Sequence, residues 1–221
     1  MPIGSDQIRK RLIQLANQTA ISIWIAGVAT NQGATFSNVV IREIGSDYIR
    51  VTTATTNTIV PILPISSIDD VAGDGTTPSL TTRTLRSRLI EFFRETTVDI
   101  FVTGTVTPAV TNARVTEVGS DYIIVNVAGV NTYLPLTLLA GFRANTPITN
   151  TPTVISRDFR DVLVELSALN SNVIMNLGGR VVGTLAAPVN IIEVQSNFIR
   201  LNNSAQTVGT IFWIGSVTRL S

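Results

Sequence analysis

Hydrophobic side chains recur at every second position between residues 19 and 27, and this period predicts a β-strand. Ile21, Ile23 and Ile25 point to one face of such a strand, and the residues between them point to the other. Residues 5–17, just before it, place their apolar side chains along one helical stripe. The pattern therefore predicts a one-sided helix that packs on a sheet.

The same order of helix and strands recurs along the chain. Gly-Ser-Asp-Tyr-Ile at residues 45–49 returns unchanged at 119–123 and, as Gln-Ser-Asn-Phe-Ile, at 195–199. The matching helical segments are residues 9–15, 86–92 and 160–166. A recurrence of about 75 residues indicates tandem structural units rather than an isolated motif.

Each unit is predicted to be a helix followed by five strands with short connections. In the first unit the strands cover residues 19–27, 39–44, 48–51, 58–63 and 65–68. Gly45-Ser46-Asp47 supplies the turn before the third strand. Tyr48, Tyr122 and Phe198 follow that turn, and one aromatic residue per unit indicates packing within a strand more than stacking on bases. The expected fold class is mainly β, with one helix and a bent five-stranded antiparallel sheet in each unit.

The unit boundaries are expected in two polar segments rich in turn-forming residues, at 73–78 and 145–152. They divide the chain into repeat 1 (residues 1–74), repeat 2 (residues 75–148) and repeat 3 (residues 149–221). The expected N-caps of the three helices are Ser5, Thr81 or Thr82, and Ser156.

The composition of the chain excludes several classes of function. Hydrophobic residues make up 44% of the chain, charged residues 14%, and the net charge is +1, which is typical of a folded protein without a strong attraction for polyanions. Cysteine and histidine are both missing from the sequence, so disulfides, thiolate metal sites and the usual general base near neutral pH are excluded. We expect no catalytic residues, no metal site and no cofactor. The sequence also predicts no secretion signal and no membrane span, and so no membrane partner.

The three units resemble the Sm-like fold. The resemblance is carried by the N-terminal helix, the bent five-stranded sheet, the glycine that ends the first strand, and the closing proline-containing strand at residues 59–65 and 133–139. The glycines are Gly27, Gly104 and Gly178. The resemblance implies a small Sm-like barrel in each repeat, and its narrower likeness is to Sm-like proteins of spore-forming bacteria.

The residues that form the uridine pocket of RNA-binding Sm proteins have no counterpart in this sequence. The Asp and Asn of that pocket fall on Gly45 and Ile49 in repeat 1, and again on a glycine and an isoleucine, Gly119 and Ile123, in repeat 2. Its Arg-Gly pair falls on Pro61-Ile62, Pro135-Leu136 and Thr210-Ile211. None of these supplies the guanidinium that pairs with the RNA, so the family's RNA site is not expected.

The resemblance implies that neighbouring units pair along their sheet edges. Three tandem units make two such junctions inside the chain and leave one edge at each end, so identical chains can join into a ring or a filament. We expect a self-assembling structural protein, a homo-oligomer, with a spore or cell-surface layer as its setting. The expected assembly interface is Ile211, Phe212, Trp213 and Trp24, since residues 208–214 form an apolar, uncharged strand. The same segment would also suit a strand buried inside its own repeat.

Two other functions compete with this expectation. The first is a nucleic-acid-binding Sm-like protein that uses a non-standard basic face of Arg83, Arg86 and Arg88; it predicts binding that weakens steeply with salt. Those arginines share their helix with Glu91 and Glu95, and such mixed charge is typical of a solvated face. The second is an enzyme that uses carboxylate, arginine or tyrosine side chains alone, although no carboxylate pair has an identifying spacing.

Overall fold

The computed structural model describes residues 5–17, 19–28, 32–71, 73, 76–177, 180–203 and 205–220. Within this part the chain is mainly β with three α-helices, which confirms the mainly β part of the expected fold class. The first predicted boundary, between residues 74 and 75, lies outside the described residues, as does Gly178. The second lies just after a strand that ends at Pro147.

The three helices each bury one stripe of apolar side chains. They are α1 (Ser5–Ala16), α2 (Leu85–Glu95) and α3 (Phe159–Ala168). Leu12, Leu89 and Leu163 lie at the same position of the stripe in the three helices, and each is fully buried. The repeating apolar pattern therefore predicts the buried helical face correctly.

The N-caps differ from those expected. Thr84 caps α2 by accepting a hydrogen bond from the Ser87 amide, and Asp158 caps α3 in a reciprocal capping box with Asp161. Ser5 is itself the first residue of α1. Thr84 and Asp158 are favoured because each can reach the amide three residues on, as a cap must.

The strands follow in the order of the chain. In the first half they are β1 (Ala20–Ile25), β2 (Phe36–Ile44), β3 (Tyr48–Thr52), β4 (Asn57–Pro61), β5 (Ile65–Val71), β6 (Ser79–Leu80), β7 (Thr96–Val102), β8 (Val110–Val118) and β9 (Tyr122–Val127). In the second half they are β10 (Val130–Pro135), β11 (Leu139–Pro147), β12 (Thr153–Val154), β13 (Val173–Leu177), β14 (Arg180–Val182), β15 (Ile191–Val194), β16 (Phe198–Leu201), β17 (Val208–Thr210) and β18 (Ile214–Arg219).

The same antiparallel pairing scheme occurs three times. In repeat 1, β1 pairs with β2, β2 with β3 and β3 with β4, while β5 pairs with β1. In repeat 2 the strands from β7 to β10 pair in the same way, and β11 pairs with β7. In repeat 3 the strand order is again kept, with β18 on β13.

The expected closed barrel is wrong, because among the described strands the fourth and fifth strands of one repeat do not pair with each other. The sheets stay open. The outer edge of β4 pairs instead with β11, and the outer edge of β10 pairs with β18. Each of these strands therefore joins its repeat to the next one along the chain.

The second strand is bent at an asparagine in the first two repeats. Asn38 and Asn112 have φ angles of 49° and 51°, in the left-handed region. The strand pairs with the first strand on both sides of this asparagine, with a shift of register there, and with the third strand from Val40 or Arg114 onward. In repeat 3 this strand is divided into β14 and β15, where a single second strand was expected.

By their internal contacts the described residues divide into two compact units. One contains the residues up to Ala113 together with Leu139–Asn150, and the other contains Arg114–Leu138 together with the residues from Thr151 onward. The first unit has its own core, which includes the predicted stripe of Ile21, Ile23 and Ile25. The second has a core built on α3 and the strands of repeat 3.

Candidate assembly interface

The Gly-Ser-Asp turn of one repeat is hydrogen-bonded to the start of the helix in the next repeat. The Asp47 carboxylate accepts a hydrogen bond from the Leu85 amide at 2.6 Å, and Asp121 accepts one from the Phe159 amide at 2.7 Å. Both amides belong to the first residue of a helix, where the backbone N–H groups have no partner within the helix. Burial raises the pKa of Asp121, and the Phe159 amide acts against this rise. The turn is therefore a connection between consecutive repeats.

The serine of the turn makes a second connection at the same place. The Ser46 amide and hydroxyl both donate to the Arg83 carbonyl, at 3.0 and 2.9 Å. Ser120 does the same to the Arg157 carbonyl, at 3.1 Å from each group. Sequence reasoning identified these residues as turn formers and missed this role, because the partners lie 37 residues further along the chain.

A buried tyrosine and a glutamate lie beside each turn. The Tyr48 hydroxyl bonds to Glu43, and the Tyr122 hydroxyl bonds to Glu117. Burial and then the adjacent carboxylate raise the pKa of both tyrosines well above its ordinary value. Both rings are fully buried, as expected for side chains that pack within the strands.

At each of these two turns, an arginine from the following repeat pairs with the glutamate. Arg88 of α2 lies 3.5 Å from the Glu43 carboxylate, which also pairs with Arg50 at 3.3 Å. At the second turn, Arg157 pairs with Glu117 at 2.9 Å, and its guanidinium carbon lies 5.9 Å from the centre of the Tyr122 ring.

The groups around Arg157 stabilise its positive charge. Burial alone lowers the pKa of Arg157, but hydrogen bonds to Tyr122 and Glu117 outweigh that effect and raise it. Each turn thus binds a cation from the next repeat.

The strands form the other part of each connection. In the first junction, between β4 and β11, Ile59 lies opposite Phe142 and Thr58 opposite Arg143. In the second junction, between β10 and β18, Tyr133 lies opposite Val217 and Thr132 opposite Thr218. The apolar residues of both pairs are buried. Each junction therefore needs only a short ladder with one buried apolar pair.

Among the terminal strands of the two sheets, one is a fifth strand and one is a fourth strand. β5 ends one sheet, and β17 ends the three-stranded sheet of repeat 3. Val208 of β17 is 62% exposed, whereas its counterparts in the junctions, Ile59 and Tyr133, are 0% and 7% exposed. The register supports this match, because Val208 lies opposite Arg200 as Ile59 lies opposite Arg50.

A groove of about 650 Å³ lies between α1 and the open edge of β5. Its lining includes Ile8, Arg11 and Leu15 of α1 and residues 65–70 of β5. Ile68 is half-buried there and lies opposite Ile23, the position that Phe142 and Val217 hold in their own repeats. The groove is therefore the counterpart of the surfaces that receive the preceding repeat at the two junctions.

No α-helix follows the third turn within residues 205–220. Glu193 pairs with Arg200 at 2.9 Å, and hydrogen bonds from Arg200 and Gln195 lower the pKa of Glu193. Phe198 replaces the tyrosine and is half-buried, and Asn197 replaces the aspartate. This turn therefore keeps an ionised carboxylate and a partly uncovered ring.

The structure corrects the conformation that was expected for one segment of the predicted interface. Residues 211–213 form a 3₁₀ turn rather than the continuation of an edge strand. Phe212 and Trp213 are exposed on this turn with their rings 5.2 Å apart, while Ile211 packs partly against the core. Trp24 is half-buried in β1 and belongs to the other compact unit. The role of these four residues in assembly stays a prediction.

Two of the three arginines of the expected basic face form ion pairs with glutamates. Arg83 and Arg88 both contact the Glu91 carboxylate, at 2.7 and 3.0 Å. Arg88 also contacts Glu43, and its side chain is mostly buried. Arg86 also interacts with other groups of the chain. Binding of nucleic acid by these arginines stays a prediction.

Comparisons with protein-family models, with curated proteins and with solved structures found no match. In the described residues, no helix is long and apolar enough to cross a membrane. No group of three or more acidic side chains in that part of the chain could hold a metal ion. The interpretation of function therefore rests on the chain's own repeated junctions.

Proposed function

We propose that this chain is a non-enzymatic structural protein, built of three Sm-like modules, that assembles with copies of itself into a ring or a filament. The observation that carries the proposal is the pairing of a fourth strand with the next repeat's fifth strand, which occurs twice inside the chain. A pairing that is used twice within one chain is available for use between chains.

Two of the open edges, those of β17 and β5, support the proposal because they are of complementary kinds. β17 is a fourth strand without a partner on its outer side, and β5 is a fifth strand without one, within the described residues. Unpaired strand edges favour the addition of another strand. The two edges differ, so a contact between them is head-to-tail and produces either a closed ring or a helical filament.

The biological setting we propose is a spore or cell-surface layer. It rests on the likeness to Sm-like proteins of spore-forming bacteria. A sequence without cysteine, and therefore without a thiol to oxidise, suits an exposed and long-lived layer.

Electron microscopy of the purified full chain tests the proposal. The protein is treated with nuclease, held in moderate salt and imaged in negative stain over a range of concentrations, with analytical ultracentrifugation in parallel. Rings or filaments that form without nucleic acid are the expected result. Single small particles at every concentration would overturn the proposal, and particles that form only with added nucleic acid and dissolve in salt would favour the nucleic-acid-binding alternative.

A further inference from the structure

We propose that Arg11 of one copy of this chain pairs with Glu193 of a second copy, and that this ion pair aligns β17 of the second copy with the groove between α1 and β5. The inference rests on the proposed function and adds the residues that select the partner. The occupant of the groove is thus the repeat 3 end of an identical chain.

Arg11 holds the position in repeat 1 that Arg88 holds in repeat 2. Each immediately precedes a fully buried leucine, Leu12 or Leu89, on the core face of its helix. Arg88 reaches back to Glu43 of the preceding repeat. Arg11 is exposed and makes a 3.4 Å contact with Gln14 beside the groove.

Glu193 holds the position of Glu43. Both glutamates lie two residues before the turn, and both pair with an arginine of the next strand, Arg200 or Arg50. At the first turn the same carboxylate also binds Arg88 from the next helix. Within the described residues Glu193 pairs with Arg200 alone, and in this proposal the second arginine is Arg11 of another copy.

Two apolar contacts accompany the ion pair. At the second turn, Phe159 lies with its ring centre 6.3 Å from that of Tyr122. The matching residues at the open ends are Ile8, which lines the groove, and Phe198, which is half-buried. This match is supported by the next residues, since Arg9 and Arg160 both donate to the carbonyl of the residue that begins the turn in their own repeat.

The second apolar contact lies along the strands. Val208 corresponds to Ile59 and Tyr133, and Ile68 corresponds to their partners Phe142 and Val217. Val208 is largely exposed, and Ile68 is partly so. Joining the two ends would bury both side chains, as the internal junctions bury their counterparts.

The contact between copies lacks two features of the internal junctions. Phe198 has no hydroxyl to bond to the glutamate, and Ile8, the counterpart of Leu85, lies inside α1 instead of at its start. Asn197 therefore has no helix-end amide in the matching place. Without these bonds and without a covalent link, the contact between copies forms reversibly, and the ion pair makes it sensitive to salt.

Charge exchange tests the pairing. R11E places a carboxylate opposite Glu193, and E193R places a guanidinium opposite Arg11, so either variant alone should assemble about tenfold more weakly than the wild type. An equimolar mixture of the two variants restores an attractive pair at every contact and should assemble nearly as well as the wild type. The measurement is sedimentation velocity across a concentration series, with circular dichroism to verify folding.

K10E is the matched control, since Lys10 is exposed on α1 and does not line the groove. It should assemble like the wild type. Normal assembly by R11E, or a mixture that assembles no better than its components, would overturn the pairing while leaving self-assembly intact. A wild-type chain that stays monomeric throughout would overturn the proposed function and this inference together.

Discussion

At the scale of a single residue, the missing side chain of Gly45 leaves room for the buried ring of Tyr48, which packs over the turn. A Cβ at this position would overlap the ring, and the ring is fixed because its hydroxyl bonds to Glu43. We expect Gly45→Ala to lower the free energy of unfolding by about 1–3 kcal/mol, as overpacking does in a closed core. Urea denaturation followed by circular dichroism measures this difference.

Gly215→Ala is the comparison for that substitution. A Cβ on Gly215 would meet its nearest neighbour, Asn176, at an ordinary 3.5 Å. It should change the stability much less than Gly45→Ala does. Equal stability of the Gly45→Ala variant and the wild type would show that the turn and ring can separate without cost, contrary to the packing described.

Single residues were predicted well where their role is local and poorly where it is distant. The burial of Tyr48 and Tyr122 follows from the strand pattern, because a pattern reports the face on which a side chain lies. The bond from the Leu85 amide to Asp47 does not, because it joins residues 38 positions apart. A repeated aspartate at a fixed distance before each following helix was the available signal.

At the scale of an element, the helices α2 and α3 depend on a cap from the preceding repeat. Asp47→Ala removes the acceptor for the Leu85 amide and should lower the free energy of unfolding by about 1–2 kcal/mol. Asp47→Asn keeps an acceptor oxygen and should recover most of this loss. Thermal and urea unfolding of the three proteins measure the effect.

Asn197→Ala provides the control in the same turn of repeat 3. In the described residues after Asn197 there is no α-helix for its side chain to cap, so its removal should leave the stability unchanged at a concentration too low for assembly. A similar loss from Asn197→Ala and Asp47→Ala would assign the effect to the turn itself. It would then argue against a cap between repeats.

Elements were predictable where the hydrophobic period was long. The strand β1 and the buried faces of the helices follow from alternation and from helical spacing. Residues 211–213 were wrongly predicted as strand, because a short uniform run of apolar side chains carries no period that separates a strand from a 3₁₀ turn. The division of the second strand of repeat 3 was also missed, since the sequence there departs from the other two copies.

At the scale of the whole molecule, the mainly β class was predicted correctly and the closed barrel was predicted wrongly. Repetition reveals that a scheme recurs, but it does not reveal whether a strand's outer edge pairs within its own repeat or with the next one. The two internal junctions answer this for β4 and β10. The same reasoning applied to the open strands gives the last prediction.

Val208→Lys should prevent assembly and leave the fold intact. Val208 is already largely exposed, so a lysine there costs little stability, but a charge on an edge strand opposes pairing with another chain. Leu185→Lys, which changes a leucine that is 80% exposed in the turn between β14 and β15, is the matched control. It should assemble normally in sedimentation and electron microscopy. Loss of assembly in both variants would indicate unspecific hydrophobic association, and normal assembly of Val208→Lys would exclude the β17 edge as the contact.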